Sequence, residues 1–439
     1  MTELRAQGPG FSRRKSRTDP FIVMAKPVGP TCNLHCRYCY YLGKTALFPD
    51  HQEFIMGNGA LDAYIAKFIQ ASPGPIVHFV WHGGEPTLAG IGFYERALEL
   101  QRKYSPPGFN CINNLQTNGV LLDKYWCRFL SENNFHVGIS IDGPSRLHDK
   151  YRVSQGGSPS HARVMLGYNN LRESGIDPDV LCTINSFNSQ FPEETYRFFL
   201  RNEVAWLQFI PIVVRLANNR VSKQSVSPDA YANFLIAIFD EWVRYDMTSI
   251  AIQLFLECLR VWSGSPADLC IMAQDCGQAL AMEHDGSIYS CDHFVDLEHR
   301  LGTIDSNSLA DLIDSRVQIE FGKAKTSSLT SYCQACPVLF ACNGGCPKDR
   351  FSSAIDGEAG LNYLCSGYRA FYQHISPYMN KMVELSLLGQ KPSRLMADLR
   401  AVEANERARW KNANRNAPCP CESGLKFKNC CLAKRREAT

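Results

Sequence analysis

The chain has 439 residues, 45% of them hydrophobic and 20% charged, with a formal net charge of +3. These values fit a globular protein of roughly two or three domains with a sizeable core, and nothing in them demands nucleic acid. No stretch approaches the roughly 18 consecutive apolar residues of a membrane span, and the polar, basic N-terminus lacks an apolar signal core.

A cytoplasmic protein without membrane contact is therefore expected. Nineteen cysteines are many for that compartment, where structural disulfides are rare. Clustered thiols there read as metal ligands or reactive groups.

In chain order, residues 1–20 read as a disordered leader. Apolar runs at 21–25, 76–81, 111–115, 137–141, 180–184 and 207–213 then alternate with amphipathic stretches at 61–70, 94–104, 124–132, 162–173 and 193–202. This alternation predicts an α/β fold with a parallel sheet, open or closed into a partial barrel, over 21–250. The loops after its strands should carry the chemistry. Residues 251–385 are cysteine-dense with short turns and little periodicity, as expected of a domain organised by metals. A helical linker is expected at 386–415, its helix over 392–412. A compact segment, 416–439, closes the chain. Residues 391–439 carry 12 Lys/Arg against 5 Asp/Glu, a local +7 that reads first as a solvated tail.

Cys32-x3-Cys36-x2-Cys39 follows the first strand. Three thiolates on a [4Fe–4S] cluster leave one iron open to a small molecule, as the open position does on catalytic zinc. The alternatives are a zinc site lacking its fourth ligand and three incidental thiols. With Tyr38 before the third cysteine, the motif resembles the signature of the radical S-adenosylmethionine superfamily. That resemblance implies a partial (β/α)6 barrel, S-adenosylmethionine on the open iron, and its cleavage to a 5′-deoxyadenosyl radical. Tyr38 would pack near the adenine.

Gly83-Gly84-Glu85-Pro86 ends the second strand and resembles the family's methionine-binding turn, in which Glu85 could balance the ligand's ammonium group. By the same resemblance Ser140 and Arg152 would contact the ribose or carboxylate, and Leu207 the adenine.

Eight further thiols lie at Cys270, Cys276 and Cys291, then Cys333, Cys336, Cys342, Cys346 and Cys365. Eight suit two four-thiolate sites, of zinc or of iron and sulfide. The spacing resembles the SPASM extension of radical enzymes, which binds two auxiliary [4Fe–4S] clusters. Carried over, Cys270, Cys276, Cys291 and Cys346 hold one, and Cys333, Cys336, Cys342 and Cys365 the other. A last set, Cys419, Cys421, Cys430 and Cys431, resembles the SEC-C zinc motif. The segment is too short to build a core and needs a metal to fold. Cys111, Cys127, Cys182 and Cys258 are left as core.

Asp292 directly follows Cys291. On residue chemistry alone it is either a turn residue or a functional carboxylate. Cys-Asp at this place resembles the anaerobic sulfatase-maturating enzymes, where the aspartate is the general base. The resemblance spans about residues 21–385. It implies oxidation of a Cys or Ser in an unfolded sulfatase polypeptide to Cα-formylglycine, with a flavodoxin- or ferredoxin-like electron donor. Zinc is the expected tail metal, and the tail could place the enzyme near export machinery. The alternatives are a SPASM enzyme that crosslinks a precursor peptide, and a non-catalytic metal-stapled adaptor.

Overall fold

The computed structural model describes residues 20–49 and 54–432. The expected leader, apart from Pro20, and the basic residues Lys434, Arg435 and Arg436 lie outside the described residues.

The strands are β1 (Ile22–Ala25), β2 (Ile76–Trp81), β3 (Asn110–Thr117), β4 (His136–Ser140), β5 (Asp179–Ile184), β6 (Trp206–Pro211), β7 (Ala251–Ile252), β8 (Ala279–Met282), β9 (Ser287–Tyr289) and β10 (Arg300–Thr303). They form one sheet in the order β10-β9-β8-β1-β2-β3-β4-β5-β6-β7. From β8 through β7 every neighbouring pair is parallel, and β9 and β10 return antiparallel. The first six strands, each followed by a helical crossover, are the partial barrel. The cysteine-rich half then adds its own strands to the open edge: Ile22 of β1 pairs with Ala279 and Ala25 with Met282. The sheet therefore runs across the expected boundary at 250/251 on both of its flanks.

The crossover helices form because their apolar residues recur at helical spacing. In Asn58–Ala71, Leu61, Tyr64, Ile65, Phe68 and Ile69 are buried along one stripe. Tyr64 and Phe68 stack at 5.7 Å, and Phe68 meets the ring of Phe79 edge-on at 5.2 Å. Helix Lys124–Glu132 starts at Asp123, whose carboxylate caps the Trp126 N–H at 2.8 Å.

The cysteine-rich half is more helical than its sequence suggested. Cys365–Leu387 is a 23-residue helix that tolerates Pro377 in its interior. It packs along Pro228–Glu241, closely enough that a Cβ on Gly367 would fall on the Pro228 carbonyl oxygen. Its buried residues Tyr368, Phe371, Tyr372, Ile375, Met379 and Met382 do recur at helical spacing; the proline and the surrounding cysteines obscured that period. The stretch 394–411 is helical as expected. Glu403 docks it on the barrel, pairing with Arg244 at 3.0 Å and accepting from the Tyr245 hydroxyl at 2.6 Å.

Candidate active site and metal centres

The cysteine loop leaves β1 and is pinned from two sides. His35 N–H donates to Val153 O at 2.8 Å and Arg37 N–H to Tyr151 O at 2.9 Å. From the end of β3, Asn118 Nδ2 donates to Asn33 Oδ1 at 2.7 Å and reaches Cys32 Sγ at 3.6 Å. Burial pushes the Cys32 thiol up to about 11 and that of Cys36 to about 12. A bound metal, rather than neutral water, is what would deprotonate them.

The Gly-Gly turn after β2 lies against this loop: Gly84 N–H donates to Gly29 O and Glu85 N–H to Thr31 O, both at 2.8 Å. A Cβ on Gly84 would fall on the Thr31 carbonyl, and Gly83 has a positive φ of 121°. Glu85 is held firmly within this turn. Its carboxylate has 0% exposure and accepts from Thr87 N (3.1 Å), Thr87 Oγ1 (2.6 Å), Thr117 Oγ1 (2.7 Å) and Asn118 N (2.7 Å). Through these contacts it positions the turns after β2 and β3.

Tyr38 and Arg152 converge on Asp142, which sequence reasoning passed over. The Tyr38 hydroxyl donates to Asp142, Arg152 Nε lies 3.0 Å from its carboxylate, and Thr183 donates to it through both N–H (2.9 Å) and Oγ1 (2.8 Å). The Arg152 guanidinium also lies 5.6 Å over the Tyr38 ring. Ser140, at the end of β4, accepts from Gln116 Nε2 at 3.3 Å.

Leu207 lies away from where the expectation put it. It is the second residue of β6, at the strand's N-terminal end, with 0% exposure. It shares a face with Phe209, which packs 5.2 Å from Phe234 of the covering helix. The chain reaches the rim that carries the cysteine loop only at Pro211–Val213.

Asp292 comes from the cysteine-rich half. Because β8 and β9 extend the sheet beside β1, the turn after β9 carries Asp292 to Lys26, the residue after β1. The two form an ion pair in which Lys26 has 0% exposure. The Tyr40 hydroxyl donates to the other carboxylate oxygen. Lys26 Nζ also lies 3.3 Å from His82 Nδ1 and 4.3 Å over the Tyr41 ring. Burial alone would push the Asp292 carboxyl up, but Lys26, with His82 and His293 behind it, holds it well below the usual carboxylate range. Burial and Lys26 bring His82 down to about 4, so it stays neutral. Lys26, Tyr40 and His82 were not singled out by the sequence; a lysine ending an otherwise apolar strand was the available signal.

The structure gathers four of the eight later cysteines around one cavity. Cys333, Cys336, Cys342 and Cys365 line it with Asn362 and Arg369. Cys291 feels the charge of Cys346 and Cys270, and Cys276 that of Cys270. The tail differs in scale. The thiols of Cys419, Cys421, Cys430 and Cys431 lie within 4.8 Å of one another, the one group so close among the described residues. Four sulfurs around one zinc at ~2.3 Å stand about 3.8 Å apart, so the tail set fits a single ion. Cys127, Cys182 and Cys258 are buried and Cys111 is half-buried beside Ser105.

Residues 27–199 match the radical SAM superfamily, 274–337 the iron–sulfur cluster-binding SPASM domain and 415–433 the SEC-C motif. The chain is 43% identical over 396 residues to the serine-type anaerobic sulfatase-maturating enzyme of Bacteroides thetaiotaomicron, covering 87% of this chain and 95% of that one. It is 31% identical to the cysteine-type enzyme of Clostridium perfringens, covering 82% and 97%. The solved structure of native anSMEcpe with bound AdoMet and Cp18Cys peptide superposes with a TM-score of 0.75 at 30% identity, over 83% of this chain and 99% of that one. The chain belongs to the anaerobic sulfatase-maturating enzymes of the radical SAM superfamily.

Proposed function

We propose that this chain oxidises a serine of an unfolded sulfatase to Cα-formylglycine without oxygen. The observation that carries this is the meeting of Asp292 with Lys26, Tyr40 and His82 at the mouth of the barrel, beside the Cys32–Cys39 loop. The preference for serine over cysteine rests on the higher identity to serine-type relatives, 43% against 31%.

Bound at Cys32, Cys36 and Cys39, a [4Fe–4S] cluster with S-adenosylmethionine supplies a radical able to take a hydrogen atom from the substrate Cβ. Gly83, Gly84, Ser140 and Arg152 hold that ligand, and Tyr38 and Asp142 fix Arg152 in place. Asp292, ionised by Lys26, accepts the hydroxyl proton; Tyr40 and Lys26 orient its carboxylate. Going from –CH2OH to –CHO removes one hydrogen atom, one proton and one electron. The eight later cysteines would hold two auxiliary [4Fe–4S] clusters, which would supply an acceptor for that electron. A cysteine substrate would give a thioaldehyde, which water converts to the aldehyde with release of sulfide.

Among the described residues no helix is long and apolar enough to cross a membrane, and none of the cysteines is in a disulfide. The reading includes work in the cytoplasm, fed by a flavodoxin- or ferredoxin-like donor. The tail, holding zinc at Cys419, Cys421, Cys430 and Cys431 and carrying Lys411, Arg415, Lys426 and Lys428 around it, is a basic surface for an acidic partner at the export machinery. Truncation after residue 411 should leave peptide turnover intact and lower maturation of full-length sulfatase in cells.

The central test is anaerobic turnover of paired sulfatase peptides carrying Ser or Cys at the modified position, followed by mass spectrometry. Formylglycine should form from both and faster from serine. A crosslinked peptide without aldehyde would replace this reading with that of a peptide-crosslinking enzyme.

A further inference from the structure

Lys325 and Arg350 lie between the two groups of auxiliary cysteines. Lys325, in the helix Arg316–Ser327, has 0% exposure. Its ammonium donates to the carbonyls of Cys270 (2.7 Å), Ile271 (3.2 Å) and Ala273. Arg350 donates from Nη1 to the Lys325 carbonyl (2.5 Å) and the Ser328 hydroxyl (3.2 Å), from Nη2 to Asn343 O (2.8 Å), and from Nε to Gly344 O (3.1 Å). Gly344, with a positive φ of 71°, lacks the Cβ that would otherwise collide with this guanidinium. Lys325 thus braces the loop between Cys270 and Cys276. Arg350 ties the loop between Cys342 and Cys346 to the same helix.

Every hydrogen bond of these two cations among the described residues goes to a carbonyl or to the Ser328 hydroxyl, never to a carboxylate. A buried ammonium without a counter-charge is costly. Thiolates at Cys276, Cys270 and Cys346 would lie near enough to bear on the Lys325 charge, and those at Cys333, Cys276, Cys342 and Cys346 on that of Arg350. Arg350 therefore faces members of both groups. Sites built from four thiolates carry net negative charge, and each electron they accept adds another; nearby fixed charge is one of the settings of their potential.

We propose that Lys325 and Arg350 are a shared cationic brace that raises the reduction potentials of both auxiliary clusters, so that they accept the electron released from the substrate. The proposal rests on the reading that these eight cysteines hold two iron–sulfur clusters. They are positioning residues, since neither needs to touch substrate.

The test uses the full chain carrying Cys32→Ala, Cys36→Ala and Cys39→Ala, reconstituted anaerobically so that only auxiliary signals remain, in redox titrations followed by electron paramagnetic resonance. Lys325→Met should keep about eight irons per chain and lower the potential by a tenfold or greater change in the reduction equilibrium, about 59 mV per tenfold for one electron. Lys325→Arg, which keeps the charge, should restore it. Unchanged potentials in Lys325→Met, or an equal fall in Lys325→Arg, would overturn the proposal. If Lys325→Met loses auxiliary iron, Arg350→Gln decides, and an unshifted potential there overturns it. A parent protein holding no iron would instead overturn the cluster assignment itself.

Discussion

In the barrel, helix Asn58–Ala71 sets Tyr64, Ile65 and Phe68, all fully buried, against Phe79 and Trp81. In the tail, only Cys419, Phe427 and Cys430 are buried, with Trp410 leaning on Phe427 at 6.0 Å. Truncating one buried phenylalanine of the first kind costs about 3–5 kcal/mol and still leaves a large core. The tail has no such reserve, and two of its three buried residues are candidate ligands. On the reading proposed above, an ion joining its four thiols would supply the tail's folding free energy, whereas the barrel has its own core beneath the cysteine loop.

The largest expected effect breaks function while sparing the barrel. Changing Cys32, Cys36 and Cys39 together to Ala should abolish 5′-deoxyadenosine formation and lower iron by about four of about twelve atoms. Circular dichroism should show the same helices and strands. Any 5′-deoxyadenosine from this variant would sink the assignment of the cluster.

A smaller effect is expected from Asp292→Asn, which keeps shape and removes the proton acceptor. Formylglycine production should fall about 100- to 10,000-fold while cleavage of S-adenosylmethionine continues. Undiminished peptide oxidation would make Asp292 a turn residue whose pairing with Lys26 only joins the two halves.

Cys430→Ala sharpens the comparison from the other side. It should release about one zinc per chain and expose residues 416–432 to limited proteolysis, with the melting of the rest unchanged. A fall in the main transition would mean that the tail stabilises the barrel through the helix Arg394–Lys411.

The smallest effect concerns pH. His148 is fully buried, accepts from Asp142 N–H at 3.2 Å through Nδ1 and meets Ser160 Oγ at 3.1 Å through Nε2. Burial, then the Arg152 charge, hold it well below the ordinary histidine value. The unfolded chain therefore binds a proton that the folded one refuses. The associated stability is complete above the unfolded value of ~6.5 and is lost as pH falls below it, by about 1.4 kcal/mol per unit of depression. The melting temperature of His148→Asn should fall less steeply than that of the parent below that pH. Parallel curves would show that His148 titrates normally.

Much of this was legible along the chain. The barrel strands and crossover helices lie within a few residues of the expected segments, because amphipathic period is a local property. The cysteine sets were also legible, since ligand spacing is written in sequence. The positions of Glu85 and Leu207 were not. Which atoms satisfy Glu85 depends on Thr117 and Asn118, more than thirty residues away. Whether Leu207 meets a ligand depends on which end of β6 faces the cysteine loop.

The sequence by itself determined the alternation of strand and helix, the three sets of thiols, and a carboxylate beside a ligand cysteine. Periodicity and spacing need no knowledge of what lies across the fold. Only the tertiary structure decided that β8 pairs with β1. That pairing carries Asp292 to the fully buried Lys26, and an ion pair between residues 266 positions apart has no local signature. The same holds for Asp142 beneath Tyr38 and Arg152, and for Lys325 and Arg350 between the auxiliary cysteines. Each is a charge whose meaning comes from the opposite charge or the ligand that packing brings to it.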